Sequence, residues 1–268
     1  MDATDHLKAG DLDGALQALQ AQVRAKPGDA RLRVFLFQLL CVIGDWKRAI
    51  AQLKLCAELD PAAIPMAQTY REAIICELHR EKVFAGEVAP MVMGTPAQWL
   101  ALLIEAQGLL ARGNTAQAES LRAQAFEAAP ETPGSIDGTA FAWIADADMR
   151  LGPVLEAIIN GRYFWVPFAA IRSLSLDEPA DLRDAVWMPA QIRLVSEGEV
   201  VALIPTRYVG TTAAGSAAER LARATNWTDA GAGLFTGVGQ RIISTDAVEC
   251  ALMDIRRIEI DPAPAEDG

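Results

Sequence analysis

Asp146, Asp148 and Arg150 stand two residues apart in the run from Phe141 to Arg150. In an extended segment that spacing turns all three side chains to one side. Two carboxylates held together can divide general acid and general base work, or one of them can act as a nucleophile. Rigid aromatic side chains surround them in sequence, namely Trp143, Tyr163, Trp165, Trp187 and Tyr208, and Arg162, Arg172, Arg183, Arg193 and Arg207 are interleaved. Lysine is absent after Lys82, so every cation of the second half is arginine. Arginine forms bidentate pairs with carboxylates and stacks on aromatic faces, which suits an internal ion-pair lattice or a recognition surface. A genome that favours Arg codons gives the same bias. Neither histidine nor thiol nor a metal-type cluster accompanies the aspartates, so structural salt bridges are the better reading of the pair. An enzyme of unknown class using Asp146 and Asp148 is the alternative.

The other chemical motifs fail on inspection. His6 and His79 are the only histidines, and His79 has no second ligand one helical turn away, so it reads as a surface residue and no zinc site can be assembled. The stretch from Gly210 to Ser216 has the glycine spacing of a phosphate loop without its lysine, and Gly231, Gly233, Gly237 and Gly239 do not keep the dinucleotide fingerprint, so both read as turns or loop. Cys41, Cys56, Cys76 and Cys250 show no C-x-x-C spacing and read as free, mostly buried thiols. No cofactor and no metal is expected. Of the side chains, 24 are basic and 35 acidic, a formal charge of −11, with 11 basic against 19 acidic in residues 136–268. Such a surface repels phosphate backbones and anionic lipid, which argues against nucleic acid and membrane as partners. No window is long and apolar enough for a membrane span and the N-terminal stretch is acidic, so a cytoplasmic protein is expected.

The elements that must position these residues begin with a repeat. Gly10-Asp11, Ala15 and Pro27 return as Gly44-Asp45, Ala49 and Pro61, an offset of 34 residues, the length of a tetratricopeptide unit of two antiparallel helices. Gly113-Asn114, Ala118 and Pro130 mark a third unit after an irregular one. Glycine ends one helix, Asp or Asn caps the next, and the small alanine lets the paired helices approach. The irregular unit reads as a helix from Pro65 to about Ala85 with Tyr70, Ile74, Ile75 and Leu78 inward. Pro90 to Pro96 reads as a loop. Beyond Pro130 the period changes. Residues 139–148 read as a strand, 153–160 as a short helix opened by Pro153, 163–166 and 170–176 as strands, 191–195 with 200–204 as a pair, and 241–243, 251–253 and 257–260 as closing strands. The expectation is an α+β protein of two domains: a TPR-like α-helical repeat array over residues 1–130, a linker over 131–135, a mixed α+β domain over 136–262, and a disordered acidic tail over 263–268.

Four blocks of the second half resemble a known family: Phe141 to Pro153, Asn160 to Pro167, Asp181 to Trp187, and Ile204 to Tyr208 look like the signature blocks of the TagJ/ImpE proteins. The resemblance spans nearly the whole chain, because that family joins a divergent helical-repeat half to a domain carrying these blocks. It implies an accessory protein of bacterial type VI secretion that binds the small sheath subunit (TssB/VipA type) by a helix near its N-terminus and, through it, bears on sheath turnover by the ClpV ATPase. The residue reading is compatible, since helical hairpins form grooves that accept an amphipathic helix, and aromatic and Arg enrichment is typical of interface hot spots. The expected function is a non-enzymatic adaptor, with Trp143, Asp146, Asp148, Arg150, Tyr163, Trp165, Trp187, Arg207 and Tyr208 as partner-binding candidates. A self-associating assembly scaffold is the remaining alternative.

Overall fold

The computed structural model describes residues 1–94, 97–231 and 233–262. The first half is α1 (Ala3–Lys8), α2 (Leu12–Ala25), α3 (Ala30–Ile43), α4 (Trp46–Leu59), α5 (Ile64–Phe84), the two-residue strand β1 (Met91–Val92), α6 (Gln98–Ala111) and α7 (Thr115–Ala128). The repeat marks do what their chemistry requires. Gly10, Gly44 and Gly113 are left-handed at φ 76°, 87° and 80°, a conformation that costs a side-chain-bearing residue strain. Asp11 accepts from the Gly14 amide and Asp45 from the Arg48 amide, so each caps the helix it precedes, whereas the Asn114 side chain makes no such bond. Ala15, Ala49 and Ala118 are fully buried where helices cross.

The strands that follow are β2 (Gly134–Ile136), β3 (Thr139–Phe141), β4 (Ile144–Asp146), β5 (Val154–Ile159), β6 (Arg162–Pro167), β7 (Ile171–Leu176), β8 (Trp187–Leu194) and β9 (Glu199–Pro205). After the single-turn helices α8 (Thr211–Ala214) and α9 (Ala217–Arg220) come β10 (Thr225–Asp229), β11 (Phe235–Gly239), β12 (Ile242–Thr245), β13 (Glu249–Ala251) and β14 (Arg257–Ile260). Among the described residues they form a nine-stranded sheet in the order β1-β6-β5-β9-β8-β7-β14-β2-β3, a three-stranded sheet β13-β12-β4, and the ribbon β10-β11. Among the described residues only β1 runs parallel to its neighbour, and it carries the helical half into the sheet by pairing Met91 and Val92 with Phe164 and Trp165 of β6.

Several local expectations are corrected. Residues 154–159 form a strand, not a helix, and all six are buried. Val154 and Ile158 face the helices while Leu155, Ala157 and Ile159 face a second core, so both sides are apolar and the run lacks the alternation that identifies a half-exposed strand. The stretch 139–148 is two short strands, β3 and β4, parted at Ala142-Trp143, and Asp148 lies in the turn beyond β4. Ile75 and Leu78 of α5 are exposed, and Glu77 and Arg80 occupy the buried face beside Tyr70, Ala73 and Ile74. The Pro90–Pro96 loop contains β1, with Thr95 and Pro96 outside the described residues. β2 begins at Gly134, within the segment expected as linker. β13 stops at Ala251, so Leu252 and Met253 lie in a 3₁₀ turn, and Gly237 and Gly239 belong to β11 rather than to a loop. The acidic tail from residue 263 lies outside the described residues.

One hydrophobic core runs from Leu7, Leu19, Phe37 and Ile74 of the helices to Val154, Tyr163, Trp165 and Trp187 of the sheet. A second fills the space between the large sheet and the three-stranded one around Leu155, Val166, Met188, Ile204 and Ile243. Trp187 is the main tie of the first: it is fully buried, with its ring centroid 6.1 Å from that of Trp46 on α4 and 5.8 Å from that of Tyr70 on α5. Removing a buried indole leaves a cavity that neighbours fill only in part, at a cost of about 3–5 kcal/mol. Trp187→Ala is therefore expected to lower the urea midpoint strongly while helix ellipticity and tryptophan fluorescence still change together. Separate transitions for the two probes would show that the halves unfold independently.

Candidate functional site

At the seam between the helices and the sheet lies a chain of buried charges, centred on Glu156 in the middle of β5. Arg80 of α5 donates Nε and Nη2 to the two Glu156 oxygens at 2.6 and 2.8 Å, and Nη2 also reaches the Arg207 carbonyl at 2.8 Å. Arg241 pairs with Glu156 and with Asp146, and its Nε donates to the Pro205 carbonyl at 2.9 Å. The Tyr163 hydroxyl donates to Glu156 and accepts from the Trp165 indole N–H at 2.8 Å. On the helical side Glu77 accepts from Arg80 at 3.3 Å and from the Trp187 indole at 3.0 Å. Arg207 donates to the carbonyls of Val42 at 2.8 Å and Cys41 at 3.2 Å, capping the last turn of α3.

The aspartates belong to the same lattice, each paired with an arginine. Asp146 ends β4, where its Oδ1 accepts from the Asp148 amide at 2.9 Å, and Asp148 Oδ1 accepts from the amide and Nε of Arg150, each at 2.9 Å. Asp148 Oδ2 takes the Gly237 amide at 2.9 Å. Gly237 is required there, because a Cβ would stand 2.1 Å from the Tyr208 ring. Asp148 is wholly enclosed, and the groove at Trp143 is bordered by Asp146 and not by Asp148. Among the described residues no group of three or more His, Cys, Asp and Glu is placed to hold a metal, and no helix is long and apolar enough to cross a membrane. His79, read from sequence as a surface residue, is half-buried with its ring edge-on to Tyr163.

Burial and charge pull these groups apart. Burial pushes the Asp146 carboxyl up to about 7 against the attraction of Arg241. Burial acts on Glu156 in the same sense, but Arg80 and Arg241 outweigh it and hold it at about 2. Arg207, buried with carbonyl partners rather than a carboxylate, falls to about 10. Of the nine candidates, Asp146, Asp148, Tyr163, Trp165, Trp187, Arg207 and Tyr208 are buried, Arg150 is mostly so, and Trp143 alone is exposed, at 42%. Sequence reasoning missed Glu77, Arg80, Glu156 and Arg241. The available signal was a lone charge inside an apolar run, as in Leu155-Glu156-Ala157.

Trp143 stands at a groove of about 430 Å³ between the end of α7 and the three-stranded sheet. Phe126, Ala129 and Pro130 form one wall, Ala145, Ala147 and Ser244 the floor, and Met149 one end. Gly152 comes so close to the Phe126 ring that a Cβ would lie 2.4 Å from it, so the wall is packed against the floor's own turn.

A helical array of tetratricopeptide type, joined through buried charges to a mixed sheet, defines the class. A profile for the tetratricopeptide repeat matches residues 6–71, and a profile described as ImpE protein matches residues 138–259. The type VI secretion system accessory component TagJ of Pseudomonas aeruginosa is 52% identical over 265 residues, covering 99% of this chain and 93% of that protein. The crystal structure of a Vibrio parahaemolyticus protein superposes with a TM-score of 0.88 at 27% identity, over 97% of this chain and 98% of that one. The chain belongs to the TagJ/ImpE family.

Two outcomes are expected of the lattice. Arg241→Met strands Asp146 and part of Glu156 as buried unpaired carboxylates and should cost about 3–5 kcal/mol in chemical denaturation. Asp146→Asn should change the pH dependence. The unfolded Asp146 carboxyl titrates near 3.8 and the folded one near 7, so between these values the folded protein holds a proton the unfolded chain has released. This group's contribution to stability is full below the lower value and is lost as pH rises to the upper one. The denaturation midpoint of Asp146→Asn should therefore gain on that of the natural protein from about pH 4 to about pH 7 and gain no further above. Parallel profiles would contradict the raised carboxyl.

Proposed function

We propose that this protein is a non-enzymatic accessory adaptor of a bacterial type VI secretion system. It takes the N-terminal helix of the small sheath subunit (TssB/VipA type) into the groove at Trp143 and serves sheath assembly or its ClpV-linked turnover. The observation that carries the reading is the position of Trp143. It is the one candidate whose indole reaches solvent, and it stands beside an apolar groove of a size to accept three or four anchoring side chains. The close relationship to a type VI accessory component supports the setting. The buried state of the other candidates supports a framework role for them, holding the floor and wall at fixed separation.

The experiment is calorimetric titration of the full chain with a peptide spanning the N-terminal helix of the small sheath subunit of the same organism. Saturable binding is expected, with Trp143→Ala weakening it roughly 30-fold, about 2 kcal/mol, as for a central aromatic anchor. Trp143 is exposed and its side chain makes no hydrogen bond to the buried charges among the described residues, so circular dichroism of the variant should be unchanged. Binding that is indifferent to Trp143→Ala would move the site elsewhere, and absence of binding at high micromolar peptide would overturn capture of that helix.

A further inference from the structure

We infer that the groove at Trp143 is built for a short amphipathic helix, two to three turns long, whose apolar face is flanked by lysine or arginine. This rests on the adaptor reading above and specifies the chemistry of the partner.

Three features of the groove carry it. The first is its floor. Ala145 pairs with Ser244 across β4 and β12, and Ala147 follows on the same face, so three small side chains lie side by side. A floor of that kind lets a helix backbone come close. From Trp143 to Ala147, β4 with one residue on either side, the chain spans at most about 13 Å at roughly 3.3 Å per residue, which a helix spans in about nine residues. Nine residues supply the i, i+3, i+4 and i+7 anchors of a helix held by one face.

The second feature argues against an added strand. The outer edge of β4 is already taken, because the Asp146 amide donates to the Gly152 carbonyl at 2.6 Å. An extended peptide would need that donor to continue the sheet. A helix satisfies its own backbone groups and requires only side-chain contact.

The third is charge. Among the described residues Glu131 is the charged residue that lines the groove with an exposed side chain, the carboxylate of Asp146 being buried against Arg241. Two more carboxylates stand at its rim. Asp246 Oδ1 accepts from the Ala142 amide at 2.8 Å, next to Trp143, and Glu249 Oε1 lies 3.4 Å from the Ser244 hydroxyl. Glu131, Asp246 and Glu249 are exposed, and among the described residues none of them is paired with an arginine or lysine of this chain. An apolar slot with an unneutralised acidic rim disfavours an acidic partner by like-charge repulsion and favours a basic one, which is how rim charges set specificity.

The test uses the full chain and two capped synthetic helices that share one Leu/Ile face at i, i+3, i+4 and i+7 and differ only in carrying Lys or Glu on both flanks. At low ionic strength the Lys-flanked helix should bind roughly tenfold more tightly, two or three exposed ion pairs being worth about that much, and the difference should shrink at about 0.5 M salt. The double variant Glu131→Lys, Glu249→Lys should reverse the preference, and Ala145→Trp should block both peptides by filling the floor. Equal binding of the two peptides, a preference that the double variant leaves unchanged, or no binding of either would overturn the inference. The adaptor reading fails separately. If the sheath peptide binds in a Trp143-dependent way while the model helices are not discriminated, the adaptor stands and the charge rule falls. If the Lys-flanked helix behaves as expected and the sheath peptide is inert, the groove chemistry stands and the partner assignment falls.

Discussion

Glu156 is the constraint on which the rest of the structure depends. It sits at zero exposure in a strand whose neighbours are all apolar, and a carboxylate there is tolerable only if its charge is met at close range. Arg80 from α5 and Arg241 immediately before β12 meet it from opposite sequence directions, 76 residues before it and 85 after. Satisfying one group thus fixes three elements: the last turns of α5, the middle of β5, and the strand that pairs with β4. A lysine could not do this, since its point charge lacks the planar fork that Arg80 lays on both oxygens. Where this lattice is concerned, the arginine-only composition of the second half has a structural use, whatever its origin.

Buried ion pairs are poor evidence for high stability, because desolvating the charges costs about as much as their attraction returns. What they supply here is registry. Glu77 and Arg80 cannot face solvent without abandoning Trp187 and Glu156, so α5 has one rotational setting against the sheet, even though its exposed face carries Ile75 and Leu78. By apolar content alone a rotated α5 would be an attractive competitor. The polar contacts exclude it, which is specificity by a penalty on the alternative.

Legibility from sequence followed the same division. The repeat array was readable because its rules are local: a left-handed glycine, a capping aspartate and a small crossing residue recur at 34-residue spacing and each acts within one turn. β5 reads as a helix because both its faces are buried, which removes the alternation and leaves Pro153 as a false helix start. Ile75 and Leu78 read as inward because Glu77 and Arg80 reverse the usual polarity of a helix face. For the candidate site, the aromatic and Arg candidates named from sequence lie at the buried seam, except Trp143 at the groove. Their buried placement could not be derived, since the partners that enclose them, Arg80 and Arg241, lie far away in sequence and belong to no local pattern.

The groove and the lattice meet in Asp146. Its carboxylate is tied to Arg241 on the buried side of β4, while its backbone forms part of the groove and binds the turn at Gly152. β4 is only three residues long and on its own would be too short to hold a shape. Anchored through Asp146 to a charge that is itself pinned by Glu156 and the Pro205 carbonyl, it becomes a rigid floor carrying Ala145 and Ala147 at fixed height under Trp143. A floor settled before any partner arrives need not be ordered on binding, so a small apolar contact can serve where a flexible loop of the same composition would spend much of its interaction energy on its own ordering.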